Sequence, residues 1–510
     1  MQSVLTAAQM REAEQAAESR FGMPSALLME NAGRALADVA RSVAGQGGRF
    51  IVVCGPGNNG GDGLVAARFL QEGGARVSVA VVGDQGRMTT EAQRNLQALG
   101  AYGVSPQALD VLPTPGARDV VVDAIFGTGL SRAPEGAFAE AIDRIGQWRR
   151  AGAKVVAADV PSGLQSDTGE SFSPCVVADV TVSFGLLKRG QVLEPGATLC
   201  GELRRVDIGL SAAASQGLKG LVLRLVEEAD AREALPVRRS DTHKGTYGHV
   251  VVVAGSRGKS GAAALVARSA LRSGAGLVSV ATRADLVDAV LAHAPEIMGV
   301  PLEGDGPLGL SDLEPLVAAA EGKEALVIGP GIPRGPETGA LIGELLSRVE
   351  IPAVLDADAL NAVAEDLGVL RKAKGPVVLT PHPGEMARLT GRSTKEVQAH
   401  RVEVARNLAT GHGVTVVLKG ARTLIASPDG EIYVNPTGNP GMATGGSGDV
   451  LSGICGAFLA QGLRVPEAIW AAVYTHGLAG DLAAERRGKV GLIAGDIIKG
   501  LCDVWVRWGR

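Results

Sequence analysis

The residues at 435–451, NPTGNPGMATGGSGDVL, combine types and spacing that suit phosphate chemistry. Five glycines (Gly438, Gly441, Gly445, Gly446 and Gly448) lead to an acid, Asp449, and an apolar run follows at 450–460. Glycine opens backbone conformations closed to other residues and leaves amide N–H groups uncovered. A helix expected to start near Asp449 adds its own free N–H groups and the positive end of its dipole. Together these form a cradle for phosphate oxygens. A carboxylate is out of place there, because it repels bound phosphate. One reading makes Asp449 the helix N-cap, a role Asp fills well. The other makes it a base that takes a proton from a hydroxyl attacking phosphorus. The seventeen residues taken together favour the base.

A second group of polar residues lies in the first half. GPGNNGGDG at 55–63 satisfies the dinucleotide pattern through Gly55, Gly57 and Gly60, with Asp84 about where a ribose-binding acid would stand. Pro56, Asn58, Asn59 and Asp62 are features that pattern does not need, and the glycines also suit a tight turn. Asp123, Asp159 and Ser162 each follow an apolar run, past the C-terminal end of an expected strand, where open α/β sheets bind ligands. Any one of these acids is also a natural cap or turn residue. Asn59, Asp123 and Ser162 are oxygen donors, suited to a hard cation as well as to a substrate.

The elements that must carry these groups alternate. Helices are expected at 5–20 and 24–44, Pro24 suiting a first turn. RFIVVC, the glycine loop, the helix LVAARFLQEG and the strand ARVSVAVVG form a βαβ unit. DVVVDAIFGTGL and AKVVAADVPSG add strands, and SFGLLKRG and LEPGATLCGELRRVDIG close the half as strands and turns. A linker is expected at 211–219, with domains at 1–218 and 221–510. The second half repeats strand, glycine loop, helix and strand from HVVVVAG onward without repeating the motifs of the first. Gly258-Lys259-Ser260 resembles the end of a P-loop, but Val253 stands where its first glycine should be. EALVIGPGI, PAVLDADALN, PVVLTPHPGEM and VTVVLKGARTLIAS are further strands. Asp356 and Asp358 read as strand-end caps, and His382, between two prolines, is either a turn residue or a rigidly placed functional one. The expected fold is α/β, with two doubly wound domains.

The 510 residues exceed one ordinary core, and 46% hydrophobic with only 3% aromatic residues means aliphatic cores. With 50 basic against 54 acidic residues and no basic block, nucleic acid and anionic membranes are not expected partners. No apolar run approaches the roughly 18 residues of a membrane span, and Arg11, Glu12, Glu14 and Glu18 argue against a signal peptide. The five scattered cysteines fit a reducing cytoplasm and neither a disulfide scaffold nor a zinc site.

GPGNNGGDGLVAARFL, VDAIFGTGL, ADVPSGLQSDTG and SFGLLKRG…VDIGL resemble, in order, the NAD(P)H-hydrate epimerase family, which is Rossmann-like and interconverts the R and S forms of hydrated NADH and NADPH. That resemblance implies that Asn58, Asn59, Gly60, Gly61 and Asp62 contact the hydrate. So do Gly127, Thr128, Gly129, Leu130, Ser131, Arg132 and Ala133, with Asp159 as acid and base, while Asn59, Asp123 and Ser162 hold a potassium ion. HKGTYGHV, LRSGAGLV, DADALN, LTPHPGEM and the 435–451 loop resemble the ribokinase-like NAD(P)H-hydrate dehydratase family. There the resemblance implies that Ala262, Gly331, His382 and Asp449 contact the S-hydrate. Lys419, Gly420, Ala421, Arg422 and Thr423, with Asn439, Pro440, Gly441, Met442, Ala443, Thr444, Gly445, Gly446, Ser447 and Gly448, would bind ADP with Mg2+. The implied partners are the hydrate, ADP and further copies of the chain. The alternatives are a ribokinase-class small-molecule kinase fused to a dinucleotide-binding domain, and a dinucleotide-binding regulator without chemistry.

Overall fold

A computed structural model describes residues 1–210, 217–218, 220 and 223–510. The linker expected at 211–219 lies mostly outside the described residues. The chain divides into two compact units, Gln2–Leu223 and Arg224–Arg510, with Met1 counted in the second.

In the first unit a parallel sheet runs in the order Val77–Val81, Phe50–Cys54, Val120–Ala124, Lys154–Ala158, Val180–Phe184 and Glu202–Val206. Its strands are short, rich in valine and covered on both sides, as parallel sheets must be. Val52, Val122 and Val156 face a core with Leu36, Leu64 and Leu70. Their strand neighbours Ile51, Val121 and Val155 face the opposite core with Ile142, Ile145 and Trp148. This alternation is the period-two geometry of a strand. The helix after the first glycine loop spans Asn58–Glu72, so it begins within the polar loop and ahead of the apolar run. Gly60 permits that turn: a Cβ there would stand 1.8 Å from the Gly55 carbonyl oxygen. The tail read as strands and turns also holds two short helices, Arg189–Val192 and Gly196–Cys200.

In the second unit the parallel strands are ordered Met298–Leu302, Leu277–Arg283, His249–Val253, Ala325–Ile328, Ala353–Leu355, Val377–Leu379 and Thr415–Leu418. Two antiparallel strands, Leu424–Ala426 and Ile432–Val434, extend this sheet. The stretch VTVVLKGARTLIAS is therefore a hairpin whose turn carries Gly420, at φ +136°, and Arg422, at φ +54°. The helices Ser260–Arg272, Ser447–Ala460, Val465–Arg487 and Ala494–Trp508 pack Val266, Ile454, Phe458, Ile469 and Ile497 onto the sheet residues Val250, Val252 and Val327. No helix among the described residues is long and apolar enough to cross a membrane.

Candidate active sites

Each unit gathers its polar groups at the C-terminal ends of its parallel strands. The non-glycine residues with positive φ among those described are Asp159, Ala357 and Arg422, at φ 60°, 50° and 54°. Asp159 and Arg422 were themselves expected site residues, and Ala357 stands between Asp356 and Asp358. Strain of this kind, on the order of 1–3 kcal/mol per residue, persists where the surroundings enforce it, and it gathers at functional sites.

In the first unit Asp159 is buried, and its Oδ1 accepts hydrogen bonds from the Phe184 amide (3.1 Å) and from the Lys188 ammonium. Its backbone carbonyl accepts from Gln191 Nε2 at 2.5 Å. Asp62, the fifth residue of the helix Asn58–Glu72, faces the same carboxylate. Burial, then the charges of Asp159 and Glu14, push Asp62 well above the usual carboxylate range, against the opposing pull of Lys188. Ser162 and Asn59 converge on Phe126, and Asp123 holds Ser162. Asp123 accepts from the Ser162 amide (2.8 Å) and hydroxyl (2.6 Å), the Phe126 amide donates to Ser162 Oγ (2.9 Å), and Asn59 Nδ2 donates to the Phe126 carbonyl (2.9 Å). Asp123 is 0% exposed, and burial outweighs these hydrogen bonds, so its carboxyl is pushed up to about 6. Gly127 lies against Asn59, and Ser131, Arg132 and Ala133 form an exposed rim.

In the second unit the helix Ser447–Ala460 starts at Gly446, its N-cap, in a left-handed conformation at φ +85°. A Cβ there would stand 2.5 Å from a terminal methyl of Leu265, and the torsion itself favours glycine at the cap. The helix begins two residues before Asp449, which corrects both the expected start and the N-cap reading: Asp449 belongs to the first turn and caps nothing. Among the described residues no acceptor meets the amides of Gly445, Gly446, Gly448 and Asp449. The loop before them is fastened by Asp481, which accepts from the Gly438 amide (2.9 Å) and Asn439 Nδ2 (2.8 Å), and by Thr437 Oγ1 donating to the Tyr474 carbonyl (2.9 Å).

Beside this loop Lys419 Nζ bonds Asp356 Oδ1 at 2.8 Å and lies 3.9 Å from Glu385. Ser452 donates to the other Asp356 oxygen at 2.8 Å. Burial raises the Asp356 carboxyl, but Lys419 and the hydrogen bonds from Lys419, Ser452 and Thr380 outweigh it and hold the group below its usual range. For Lys419 burial acts downward and is outweighed by Asp356 and Glu385, so its pKa rises. Asp449 accepts no hydrogen bond from the described residues, and burial followed by repulsion from Asp356 pushes it up to about 6. Burial holds His476, near Ser447, down at about 4, so it is neutral at ordinary pH. Ala262 and Gly331 adjoin, a Cβ on Gly331 falling 3.1 Å from that of Ala262. His382 is the N-cap of Pro383–Thr390, its Nδ1 accepting from the amides of Gly384 and Glu385 and its Nε2 lying 3.4 Å from Glu385 Oε1, on a half-exposed ring.

The family described as NAD(P)H-hydrate dehydratase matches residues 250–502, and that described as YjeF-related protein N-terminus matches residues 25–190. A bifunctional NAD(P)H-hydrate repair enzyme Nnr from Moorella thermoacetica is 44% identical over 97% of this chain and 95% of its own length. The chain belongs to the bifunctional NAD(P)H-hydrate repair enzyme family. The Escherichia coli member is 35% identical over 96% of this chain and 92% of its own. The crystal structure of an ADP/ATP-dependent NAD(P)H-hydrate dehydratase from Bacillus subtilis, co-crystallised with ATP and Mg2+, is 33% identical, covers 56% of this chain and 99% of that chain, and has a TM-score of 0.49. In this family member the first unit is Rossmann-like and the second ribokinase-like.

Several residues take parts the sequence did not assign them. Asp356 and Asp358 are not caps: the helix Asp358–Val363 is capped by Ala357 without a side-chain bond. Asp356 is instead locked to Lys419 and Ser452, and Asp358 lies 3.3 Å from Lys259. The DADALN motif held the signal for Asp356, but its partners are 63 and 96 residues away. Lys188 was visible only as a letter of SFGLLKRG, and Gln191, Asp481 and His476 carried no local signal.

Proposed function

We propose that this chain repairs NADH and NADPH that have been hydrated at the nicotinamide ring. Residues 1–218 interconvert the R and S hydrates, and residues 221–510 dehydrate the S form at the expense of ADP, giving AMP and phosphate. The observation that carries the second activity is the row of amides at Gly445, Gly446, Gly448 and Asp449 without acceptors, beside a carboxyl raised to about 6. Hydroxide is a poor leaving group and phosphate a good one. The hydrate hydroxyl attacks the terminal phosphorus of ADP, Asp449 takes its proton, and the P–O bond to AMP breaks. The C–O bond then breaks with departure of phosphate, and the neighbouring ring carbon gives up a proton to restore the double bond. Amides and helix dipole stabilise the charge that gathers on the phosphoryl oxygens. Lys419 and the hairpin turn, Asn439 and the glycine loop bind the nucleotide, and Ala262, Gly331 and His382 contact the hydrate. Mg2+ would be held with the ADP phosphates, mostly by phosphate and water oxygens, since no group of three His, Cys, Asp or Glu side chains placed to hold a metal occurs among the described residues.

In the first unit Asp159 exchanges the proton with the hydroxyl that leaves and the water that returns. Residues 58–62 and 127–133 embrace the hydrate. Asn59, Asp123 and Ser162 would hold potassium. A buried carboxyl raised to about 6, with no ammonium or guanidinium bonded to it among the described residues, fits a site that takes up one positive charge. The ion would neutralise Asp123 and brace the Phe126 segment. The proposed setting is the cytoplasm, in keeping with five free cysteines. Further copies of the chain are proposed partners, through exposed apolar side chains such as Val490 and Ile493.

The test is incubation of the purified chain with mixed R and S NADH hydrate. With ADP, all NADH absorbance should return, with one AMP and one phosphate per NADH. Without ADP, R and S should equilibrate with no gain in absorbance. Recovery of only the S fraction would overturn the epimerase assignment, and a stable phosphate ester would mark a kinase instead.

A further inference from the structure

Among the largest fully buried side chains of the described residues is a lysine, Lys188, at 1% exposure. An ammonium out of water costs several kcal/mol unless paired and fully hydrogen-bonded. Its acceptors are Asp159 Oδ1, the Phe184 carbonyl at 2.9 Å and Ser183 Oγ at 3.5 Å. The same lysine is clamped from behind. Its backbone N–H donates to Gln191 Oε1 at 2.8 Å, Ser183 Oγ donates to that oxygen at 3.0 Å, and Gln191 Nε2 grips the Asp159 carbonyl. Four residues thus hold one aspartate in a left-handed backbone conformation that aspartate seldom adopts.

The two Asp159 oxygens are not equivalent. Oδ1 is taken by Lys188 and the Phe184 amide, whereas Oδ2 accepts no hydrogen bond from the described residues. We propose that Lys188 is a positioning residue of the epimerase reaction, fixing the Asp159 carboxyl through Oδ1 so that Oδ2 alone exchanges the proton with the hydrate. The inference rests on the reading of the first unit given above. Oδ2–H gives its proton to the hydroxyl as the C–O bond breaks, and water leaves. When water returns to the opposite face, the C–O bond re-forms and the proton goes back to Oδ2, so no co-reactant is needed. Lys188 is too deeply buried to touch substrate. It acts by aiming the carboxyl.

Among the described residues three charged groups face Asp159: Lys188, Asp62 from the helix Asn58–Glu72, and Glu14 from the helix Ala7–Phe21. Lys188 alone is positive, so removing it leaves carboxyls only. Epimerisation of pure R-hydrate is to be followed over a pH series with the full chain and with Lys188→Met. The expected result is a kcat about tenfold or more lower, a KM within about threefold, and a pH profile moved to higher pH by about one unit or more, the usual effect of a neighbouring charge. Should Lys188→Met not fold, Lys188→Gln, which keeps hydrogen-bonding capacity without the charge, carries the same test. A folded variant whose pH profile is unmoved overturns the inference, whatever its kcat. Asp159→Asn is run in parallel. If it too epimerises normally, the reading of the first unit falls and this inference with it; if it is inactive while the Lys188 variants keep the wild-type profile, only the inference falls.

Discussion

Asp159 and Asp449 make an instructive pair, since each is an aspartate set beside a glycine-rich turn at the end of a parallel sheet. Asp159 is tied down, with one oxygen held by Lys188 and a backbone amide and its own carbonyl held by Gln191. Asp449 is left free, because the nearby lysine, Lys419, is committed to Asp356. Burial therefore wins at Asp449 and raises it to about 6. A base facing a nucleotide gains from this arrangement. A lysine pinned to Asp449 would lower its basicity, whereas bare amides can neutralise phosphate without touching the acid. An acid that must serve both faces of one carbon gains from the opposite arrangement, a carboxyl that cannot swing.

The comparison breaks most visibly at Asp449. Asp449→Asn should slow dehydration on the order of 100- to 10,000-fold, the usual cost of a lost general base, while epimerisation and ADP affinity persist. The helix itself should survive, because its N-cap is Gly446 and an acid in the first turn contributes only about 0.3–1 kcal/mol through the dipole. In the wild type, protonation of Asp449 should remove the base, so dehydration should fall as pH drops through about 6. ADP phosphates beside the carboxyl move that limb upward, never downward. A dehydration rate level from pH 8 to about 5 would exclude Asp449 as the base.

Asp356→Asn tests why Lys419 leaves Asp449 alone. It leaves the partly buried Lys419 ammonium with Glu385 alone, 3.9 Å away, and should cost stability, read as a lower denaturation midpoint. With Asp356 neutral, Asp449 loses a repelling charge and faces a Lys419 released from Asp356, so the acid limb of dehydration should move to lower pH. A limb that stays in place would show that Asp356 does not shape the base.

A smaller effect is expected at Asp123. Asp123→Ala should abolish binding of one potassium ion and weaken epimerisation about tenfold, within the usual range for the partners that support a metal site, with dehydration of pure S-hydrate unchanged. In the wild type, protons should compete with the ion as pH falls through about 6, where Asp123 takes one up. Potassium affinity that is flat from pH 7.5 to about 5 would place the ion elsewhere.

How far these sites could be read from sequence depends on the range of the interactions. The glycine loops, the alternation of valine-rich strands with helices and the aspartates at strand ends are local, and the sequence displayed them. Asp356 looked like a strand-end cap because caps are local too, while its partner Lys419 arrives from a hairpin turn two strands later in the chain. The helix start was misplaced at Asp449 because Gly446 caps through its backbone alone, which leaves no side-chain signal. Lys188 was the hardest to read. A lysine in a polar stretch passes for a surface residue, and only the sheet that returns it to Asp159, 29 residues back, buries it.

The smallest expected effect is that of separating the halves. The buried clusters of the first unit draw on residues 5–210, with Val52, Leu64 and Val122 on one face of the sheet and Ile51, Val121 and Trp148 on the other. The large cluster of the second unit begins at Val226. The first sheet is covered on both faces by helices of its own unit, as a domain that folds alone requires. All residues proposed for epimerisation, from Asn58 to Gln191, fall before the boundary. Residues 1–218 expressed alone should therefore fold and epimerise the hydrate, without nucleotide, at a rate within about threefold of the full chain. Circular dichroism and a chiral assay of R and S hydrate would check both halves of that statement. A folded fragment without epimerase activity would mean that the second unit completes the first site, and the contrast between Asp159 and Asp449 would then be one between two parts of a shared machine.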